Sequence, residues 1–163
     1  MKTAIYAGTF DPITNGHMSV LTSAARLFDQ VIVGVAADNN KKTLFTLEER
    51  TALAKASAVH LDNVTVKSFS GLLVNFAREQ KATALIRGLR VVSDFEYEMQ
   101  MALFNKDLND ELETVFFIAD AEHSFISSSQ VRNIVSLGGN IDKYVSEPVA
   151  RALKEKYKQN NTE

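Results

Sequence analysis

The residues with the clearest chemical potential lie in one turn-rich segment near the start of the chain, which ends in His17. The segment contains glycine, aspartate, proline and asparagine, and a helical pattern follows it. A helix that begins there places unpaired backbone N–H groups and the positive end of its dipole beside the imidazole, and such a place binds anions. Gly8 and Gly16 would let the backbone approach a ligand closely, because a Cβ atom would obstruct it. Since an imidazole can donate a hydrogen bond to a phosphate oxygen, the segment predicts phosphate chemistry.

Side chains that suit the same chemistry recur later, each time after a predicted strand. The carboxyl ends of parallel strands share one edge of a sheet, where ligands bind, so we expect these side chains to converge. Cations, hydroxyls and an imidazole suit a polyphosphate better than an acyl or glycosyl substrate, and a planar guanidinium binds phosphate through two N–H groups. The residues concerned are Lys41, Lys42, Arg87, Gly88, Leu89, Arg90, Asp94, Glu98, His123, Ser124, Phe125, Ile126, Ser127, Ser128, Ser129 and Arg132.

Most of these residues also have an interpretation without a ligand. Lys41 and Lys42 could be solvated charges in a loop, and Arg87 and Arg90 could pair with the acidic residues that follow them. The serines at 127–129 could cap the next helix, although capping would direct the same N–H groups toward an anion. A lone loop histidine is often a surface residue, which is our interpretation of His60.

The apolar pattern alternates between strands and helices that would position these residues. The near-continuous apolar run over 30–37 is typical of a strand buried on both faces of a parallel sheet. We predict strands over 2–6, 30–37, 63–69, 84–86 and 114–118. We predict helices over 18–28, from 47 after a Thr46 capping box, from a Ser70 cap through 81, over 93–108, over 128–135, and from Glu147 onward. The alternation predicts an α/β fold, a Rossmann-like doubly wound five-stranded parallel sheet with helices on both faces.

The helix predicted over 93–108 is apolar on several sides, and two explanations remain open for it. A helix covered by the core of its own chain would show this pattern, and so would a helix at a subunit interface.

Length and composition are those of an ordinary globular domain. The 163 residues, 45% hydrophobic and 23% charged, predict one domain over 1–158 with a frayed polar tail over 159–163. A net charge of −2 argues against a general nucleic-acid or anionic-membrane surface. No cysteine is present, which excludes disulfides and thiolate chemistry. No signal-peptide pattern opens the chain and the longest apolar run is too short to span a bilayer, so a cytoplasmic location is expected.

Several common catalytic motifs are missing from the sequence. It has no G-x-G-x-x-G after the first strand, no G-x-x-x-x-G-K-[ST], no G-x-S-x-G and no H-E-x-x-H. These absences argue against a dinucleotide-dependent dehydrogenase, a Walker-type NTPase, a serine hydrolase and a zinc protease. No His/Asp/Glu cluster has the spacing of a dedicated metal site, so no metal ligands are predicted within the protein.

The motifs that are present resemble those of a known family. Gly8-Thr9-Phe10-Asp11-Pro12 followed by Thr14-Asn15-Gly16-His17 resembles the signature of the nucleotidyltransferase superfamily, with its (T/H)-x-G-H motif. Three further segments, 46–50, 85–98 and 124–129, resemble the bacterial phosphopantetheine adenylyltransferase family, and the likeness covers nearly the whole chain. Ala7 and His123 depart from the family pattern, which commonly has proline and an aromatic residue there.

This resemblance implies transfer of AMP from ATP to 4'-phosphopantetheine, which gives dephospho-coenzyme A and pyrophosphate. It also implies Mg²⁺ bound chiefly through the ATP phosphates, a homohexamer, and feedback inhibition by coenzyme A at the substrate site. The catalytic residues would be His17, Lys41 and Arg90. The ATP site would consist of Thr9, Phe10, His17, Gly88, Leu89, Arg90, Glu98, His123, Ser124, Phe125, Ile126, Ser127, Ser128 and Ser129. The phosphopantetheine site would consist of Thr9, Lys41, Leu73 and Arg87.

Two other functions remain open at this point. A sister transferase on the same fold would use nicotinamide mononucleotide or glycerol 3-phosphate as acceptor. A non-catalytic nucleotide-binding regulator would bind ATP without releasing pyrophosphate.

Overall fold

A five-stranded parallel sheet forms the centre of the protein. The computed structural model describes residues 1–37 and 40–160, with side chains up to residue 158. Within them the strand order is β3-β2-β1-β4-β5, and every neighbouring pair is parallel. The strands are β1 Thr3–Gly8, β2 Gln30–Ala36, β3 Val64–Phe69, β4 Ala84–Leu89 and β5 Glu113–Ile118. The predicted fold class is confirmed.

Helices cover both faces of the sheet. They are α1 Asn15–Ala25, α2 Leu47–Ala58, α3 Leu73–Glu79, α4 Val92–Leu108, α5 Ser128–Ser136 and α6 Glu147–Asn160. Successive side chains of β1 point to opposite faces of the sheet, so they join different parts of the core. Ala4 and Tyr6 join a cluster with buried residues of α1, α2, α5 and α6, whereas Ile5 and Ala7 join a second cluster with α3. The central strand is therefore buried on both sides.

The strand order places a ligand crevice between β1 and β4. From β1 the chain moves to β2 on one side, and it later returns to β4 on the other side. In open α/β sheets the connections leave in opposite directions at such a switch point and leave a crevice at the carboxyl ends. Gly8 and Leu89, the last residues of β1 and β4, lie at this edge.

Several predicted element boundaries are wrong. Helix α1 begins and ends three residues earlier than predicted, and strand β1 ends two residues later. Strand β4 does not stop at Ile86 but continues to Leu89, so Arg87 lies inside the strand. Helix α3 is shorter than predicted and Ser70 does not cap it. The N-cap is Leu72, whose side chain makes no capping bond and is exposed. The Thr46 capping box is confirmed, because Thr46 and Glu49 satisfy each other's backbone N–H groups.

Two short stretches of the predictions lie outside the described residues. Asp38 and Asn39 belong to the polar turn predicted after β2, and residues 161–163 belong to the predicted tail. Helix α6 takes in residues 159 and 160 of that tail.

Helix α4 is not covered by its own chain. None of its residues is buried, and its large apolar side chains at 95, 97, 99, 101, 103, 104 and 108 are all exposed. The interpretation as a covered core helix is therefore wrong for the single chain, which leaves the interface interpretation. Within residues 1–37 and 40–160, no helix is long and apolar enough to cross a membrane.

Candidate active site

His17 occupies the first turn of α1 with its ring held in a defined orientation. Thr14 is the N-cap, and its hydroxyl accepts a hydrogen bond from the His17 backbone N–H at 3.4 Å. In return, Nδ1 of His17 accepts a hydrogen bond from the Thr14 backbone N–H at 3.0 Å. The imidazole thus takes the place that glutamate has in an ordinary capping box. Because Nδ1 accepts, the ring proton of the neutral form lies on Nε2, which can donate to a ligand.

The surroundings of His17 keep its ring neutral. Burial, together with the nearby guanidinium groups of Arg90 and Arg87, lowers the pKa of His17 to about 4. Tyr6 shares this environment, and burial raises the pKa of its phenol above the ordinary value. At neutral pH His17 is therefore an uncharged hydrogen-bond donor.

The ring of Phe10 supports the imidazole from one side. Phe10 is buried and its ring meets the His17 ring edge-on at a centroid distance of 5.0 Å. It also meets Tyr6 edge-on at 5.4 Å. The backbone of Phe10 has φ 49°, a left-handed conformation that is costly for a residue with a Cβ atom and that recurs at functional sites.

Two pockets at this sheet edge share His17 and Phe10. The first, which we call the lysine pocket, has a volume of about 430 Å³ and is lined by Thr9, Phe10, Asp11, His17, Lys41, Lys42, Thr43, Ser127, Ser128, Ser129 and Arg132. The second, which we call the arginine pocket, has a volume of about 220 Å³ and is lined by Tyr6, Ala7, Gly8, Phe10, His17, Arg87, Gly88, Arg90, Asp94 and Glu98. An anion bound near His17 would therefore meet cations from both sides.

The structure brings most of the predicted site residues to these two pockets. Thr9, Phe10 and His17 come from the first loop, Lys41 from the loop after β2, and Arg87, Gly88, Arg90 and Glu98 from β4 and α4. Ser127, Ser128 and Ser129 come from the start of α5. Together they place one imidazole, one ammonium and two guanidinium groups around a common space, an arrangement suited to two anionic reactants.

The other predicted residues lie elsewhere. Leu73 begins α3 and packs against the α3-side cluster. Leu89 ends β4, where its carbonyl accepts the Ala119 N–H at 3.0 Å. His123 lines a pocket of about 320 Å³ beside α1, and Phe125 and Ile126 line an apolar groove beside Tyr144. Ser124 donates its hydroxyl to the carbonyl of Ala121. Contact of these residues with a ligand stays a prediction.

Arg87 and Glu98 form a two-point ion pair. Arg87 donates from Nε and Nη2 to the two carboxylate oxygens of Glu98, at 2.7 Å and 2.6 Å. Its Nη1 atom donates to the carbonyl of Ala7 at 3.1 Å. The structure therefore agrees with the interpretation of Arg87 as an ion-pair partner. The hydrogen bonds to Glu98 raise the pKa of the Arg87 guanidinium above its ordinary value.

Arg90 is held more loosely. Its Nε atom lies 3.4 Å from the Asp94 carboxylate, and its side chain is 44% exposed. Asp94 also accepts the Arg90 backbone N–H at 3.1 Å. Arg90 can therefore turn toward a phosphate in the arginine pocket at little cost.

Gly16 has a different role from the one predicted. A Cβ atom there would lie 3.1 Å from the Ile126 carbonyl and 3.2 Å from the His123 carbonyl, so the protein itself occupies that side of the backbone. At Gly8 a Cβ would meet the Phe10 ring at 3.3 Å. Both glycines permit close packing between parts of the protein. The expectation that they admit a ligand is wrong, because protein atoms fill the space where a Cβ atom would lie.

Sequence reasoning missed several residues of the site. Asp11 and Thr43 line the lysine pocket. Lys42 and Arg132, which the sequence predicts, line it as well.

Arg50 is a further residue that sequence reasoning missed. It is buried and donates to the carbonyls of Thr9 at 2.7 Å, Ala36 at 2.9 Å and Phe45 at 3.3 Å. These carbonyls lie far apart in the chain, so no local pattern reveals the arrangement.

Comparison with known proteins gives one family match and several close relatives. A family model described as cytidylyltransferase-like matches residues 5–134. A phosphopantetheine adenylyltransferase from Moorella thermoacetica is 57% identical over 157 residues, which cover 96% of this chain and 98% of that protein. Another from Desulfitobacterium hafniense strain Y51 is 52% identical, with 96% of each chain covered.

A solved structure shares the fold. It is described as a putative nicotinate-nucleotide adenylyltransferase from Vibrio parahaemolyticus, with a TM-score of 0.70 and 20% identity over 94% of this chain and 99% of that one. At this identity the likeness concerns the fold alone.

Proposed function

The chain belongs to the phosphopantetheine adenylyltransferases, a family of cytidylyltransferase-like enzymes, and from this premise we propose how it carries out the reaction. It transfers the adenylyl group of ATP to 4'-phosphopantetheine and releases pyrophosphate, a step of coenzyme A biosynthesis. An oxygen of the acceptor phosphate attacks the α-phosphorus of ATP. The bond between that phosphorus and the bridging oxygen of the β-phosphate breaks, and its electron pair leaves with pyrophosphate.

The acceptor phosphate is already an anion at neutral pH, so no residue needs to activate it or to become covalently attached. The difficulty is to bring two anions together in line and to stabilise the charge that develops on the α-phosphoryl oxygens. Orientation of bound reactants can contribute about 7–11 kcal/mol. A preorganised donor at the developing charge contributes about 3–4 kcal/mol. Both effects require groups that are held in place before the substrates bind.

His17 is the donor in this proposal. Its Nδ1 atom is engaged by the Thr14 N–H, so Nε2–H is available to an α-phosphoryl oxygen. The low pKa of about 4 keeps the ring neutral, so it donates a hydrogen bond without transferring a proton. The position of His17 between the two pockets supports the proposal most directly, because the reacting phosphorus must lie where the two reactants meet.

The cations of the two pockets hold the phosphates. We assign Lys41 in the lysine pocket and Arg90 in the arginine pocket to charge neutralisation around the α-phosphate and its neighbours. Arg87 would bind the acceptor phosphate. Its Glu98 ion pair fixes the guanidinium plane, and Nη1 and Nη2 each carry a second N–H that would donate to the phosphate.

We propose that Mg²⁺ enters with the nucleotide. Among the residues that the structure describes, no group of three or more His, Cys, Asp or Glu side chains could hold a metal ion. The two pockets present mainly cations and hydroxyls, a donor set that suits phosphates, so Mg²⁺ would be held through ATP phosphates. When bound, it would neutralise part of the negative charge on the departing pyrophosphate.

We further propose that copies of the chain assemble through α4, in a homohexamer. Helix α4, whose large apolar side chains are exposed, packs against β4 and against β5, an edge strand of the sheet. Such an apolar surface is typical of an interface. Coenzyme A, which contains the phosphopantetheine arm, would compete with the acceptor and act as a feedback inhibitor.

The test is pyrophosphate release with defined substrate pairs. The purified chain with Mg²⁺ receives ATP with 4'-phosphopantetheine, ATP with nicotinamide mononucleotide, or CTP with glycerol 3-phosphate. We expect rapid release only from the first pair. Release from one of the other pairs alone would identify a sister transferase. A thermal shift with ATP but no pyrophosphate from any pair would identify a non-catalytic nucleotide binder.

A further inference from the structure

Asp11 connects three parts of the lysine pocket although it follows no catalytic pattern. Asp11 is 5% exposed. Its two carboxylate oxygens accept hydrogen bonds from the backbone N–H groups of Leu44 at 2.9 Å and Phe45 at 3.0 Å. Arg132 of α5 approaches the same carboxylate at 3.5 Å and donates to the Asp11 carbonyl. One side chain thus joins the first loop, the loop after β2 and helix α5.

A buried carboxylate is retained only where donors satisfy it, because its desolvation is costly. Here two backbone N–H groups and a guanidinium do so. Both N–H groups belong to the loop that carries Lys41 and Lys42, two to four residues upstream. This loop connects a strand to a helix over the surface, where a chain samples many conformations unless its backbone is bound.

We propose that Asp11 is the positioning residue for Lys41. It holds residues 44 and 45 against the first loop, so that the Lys41 ammonium group faces the lysine pocket beside His17. Asp11 does not touch the substrates in this assignment and acts through the lysine. The inference rests on the proposed adenylyl transfer to phosphopantetheine.

Other contacts near the loop do not replace this one. Arg50 binds the carbonyls of Phe45 and Thr9, and Lys156 binds both carboxylate oxygens of Glu49 at 2.9 Å and 3.0 Å. The Lys156 contact secures the start of α2, and Arg50 holds the carbonyl of Phe45 rather than its N–H group. Among the residues that the structure describes, only the Asp11 carboxylate binds the N–H groups of residues 44 and 45.

A double-mutant cycle separates positioning from a merely structural role. The four proteins are the wild type, Asp11→Asn, Lys41→Ala and the double variant, and the measured quantity is kcat/KM for phosphopantetheine at saturating ATP. Asp11→Asn keeps the shape of the side chain but replaces one acceptor oxygen with a donor. Glu49→Gln is the matched control, because it weakens an ion pair at the other end of the same segment.

We expect Asp11→Asn to lower kcat/KM about tenfold or more in the wild-type background, since small misplacements of a reacting group are costly. In the Lys41→Ala background the same change should cost less than about threefold, because there is no lysine left to misplace. Glu49→Gln should lower the melting temperature with kcat/KM unchanged. Equal losses in both backgrounds, or no loss from Asp11→Asn, would overturn the assignment.

Hydrogen exchange of the wild type provides a measurement that needs no variant to fold. The amides of Leu44 and Phe45 should exchange far more slowly than unprotected loop amides, and rapid exchange of both would overturn the proposal. If the wild type releases no pyrophosphate from phosphopantetheine, the assignment to this substrate falls with the proposed function. If the amides of Leu44 and Phe45 are still protected, the proposed function would be wrong, whereas the contact of Asp11 with the loop would stand.

Discussion

The Nδ1 atom of His17 accepts a hydrogen bond from the backbone N–H of Thr14, at 3.0 Å. This single contact determines which ring nitrogen carries the proton, and therefore which atom can face a phosphate. Thr14, which provides this contact, is also the N-cap of α1. Formation of the helix therefore orients the imidazole of His17 as well. The arrangement leaves Nε2–H prepared before any substrate binds, which is the condition for electrostatic stabilisation of a transition state.

The first prediction concerns removal of that donor. His17→Ala should lower kcat by about 10²–10³ with a modest change in KM, because the hydrogen bond strengthens mainly in the transition state. Steady-state pyrophosphate release measures both constants. His60→Ala is the matched control, because this exposed histidine lies at the end of α2, and it should leave both constants unchanged. Turnover of His17→Ala within about threefold of the wild type would remove His17 from the mechanism.

The second prediction concerns stability as a function of pH. The pKa of His17 is about 4 in the folded protein, whereas an unfolded histidine titrates near 6.5. Between these values the unfolded chain binds a proton that the folded chain does not, so the contribution of His17 to the free energy of unfolding rises with pH. It is complete above about 6.5 and is lost as the pH falls toward 4.

Urea denaturation of the ligand-free wild type and of His17→Asn at pH 4.5, 5.5 and 7 measures this contribution. The difference between the two proteins should grow in favour of the wild type from pH 4.5 to pH 7. His60→Asn, which replaces an exposed histidine outside the site, is measured alongside as the control. A His17 difference that shows no pH dependence would mean that its ring is not kept neutral.

The fold could be predicted from sequence where local rules operate. The capping box at Thr46 was predicted from two residues three positions apart, and it is present. The apolar run over 30–37 likewise predicts an interior strand, because a strand buried on both faces of the sheet has few positions for polar side chains. These features depend on neighbours in sequence, which a pattern can detect.

Strand β4 shows where such rules fail. An arginine beside a glycine predicts the end of a strand, yet the strand continues through Arg87 to Leu89. The charge is tolerated there because Glu98 and the Ala7 carbonyl together satisfy all three guanidinium nitrogens. The contact to Ala7 spans 80 positions, so no local window contains it.

The same limit applies to the site. His17, Lys41, Arg87 and Arg90 could be proposed from sequence because each follows a predicted strand. Asp11 was not identified as functional, because its partners lie 33 and 34 positions away. Residues that bear the chemistry are thus visible in a sequence, whereas residues that hold them in place become visible in the structure.

The third prediction concerns the proposed assembly through α4. Phe104→Asp places a charge on a side chain that is 66% exposed in the single chain and that we place inside an interface. Light scattering should show a smaller particle than the wild type, with unchanged helix content. Leu27→Asp is the matched control, because Leu27 is 68% exposed and lies at the end of α1. A wild-type particle of one chain, or a Phe104→Asp particle of unchanged mass, would contradict the assembly.

The fourth prediction distinguishes two roles of Glu98. The structure pairs its carboxylate with Arg87 at two points, whereas the family resemblance implies contact with ATP. If Glu98 acts by orienting Arg87, Glu98→Gln should raise KM for phosphopantetheine about tenfold, the usual effect of losing a charge-assisted hydrogen bond. KM for ATP should change by less than about twofold.

The Arg87→Ala background separates the two roles. Orientation predicts that Glu98→Gln has almost no further effect there, because the guanidinium that it would orient is absent. Contact with ATP predicts instead that KM for ATP rises equally in both backgrounds. Asp94→Asn is the control within the same helix turn, because Asp94 binds Arg90 rather than Arg87, and it should leave KM for phosphopantetheine unchanged. A Glu98→Gln enzyme with raised KM for ATP in both backgrounds would assign Glu98 to the nucleotide, and the Arg87 ion pair would then be a feature of the ligand-free protein.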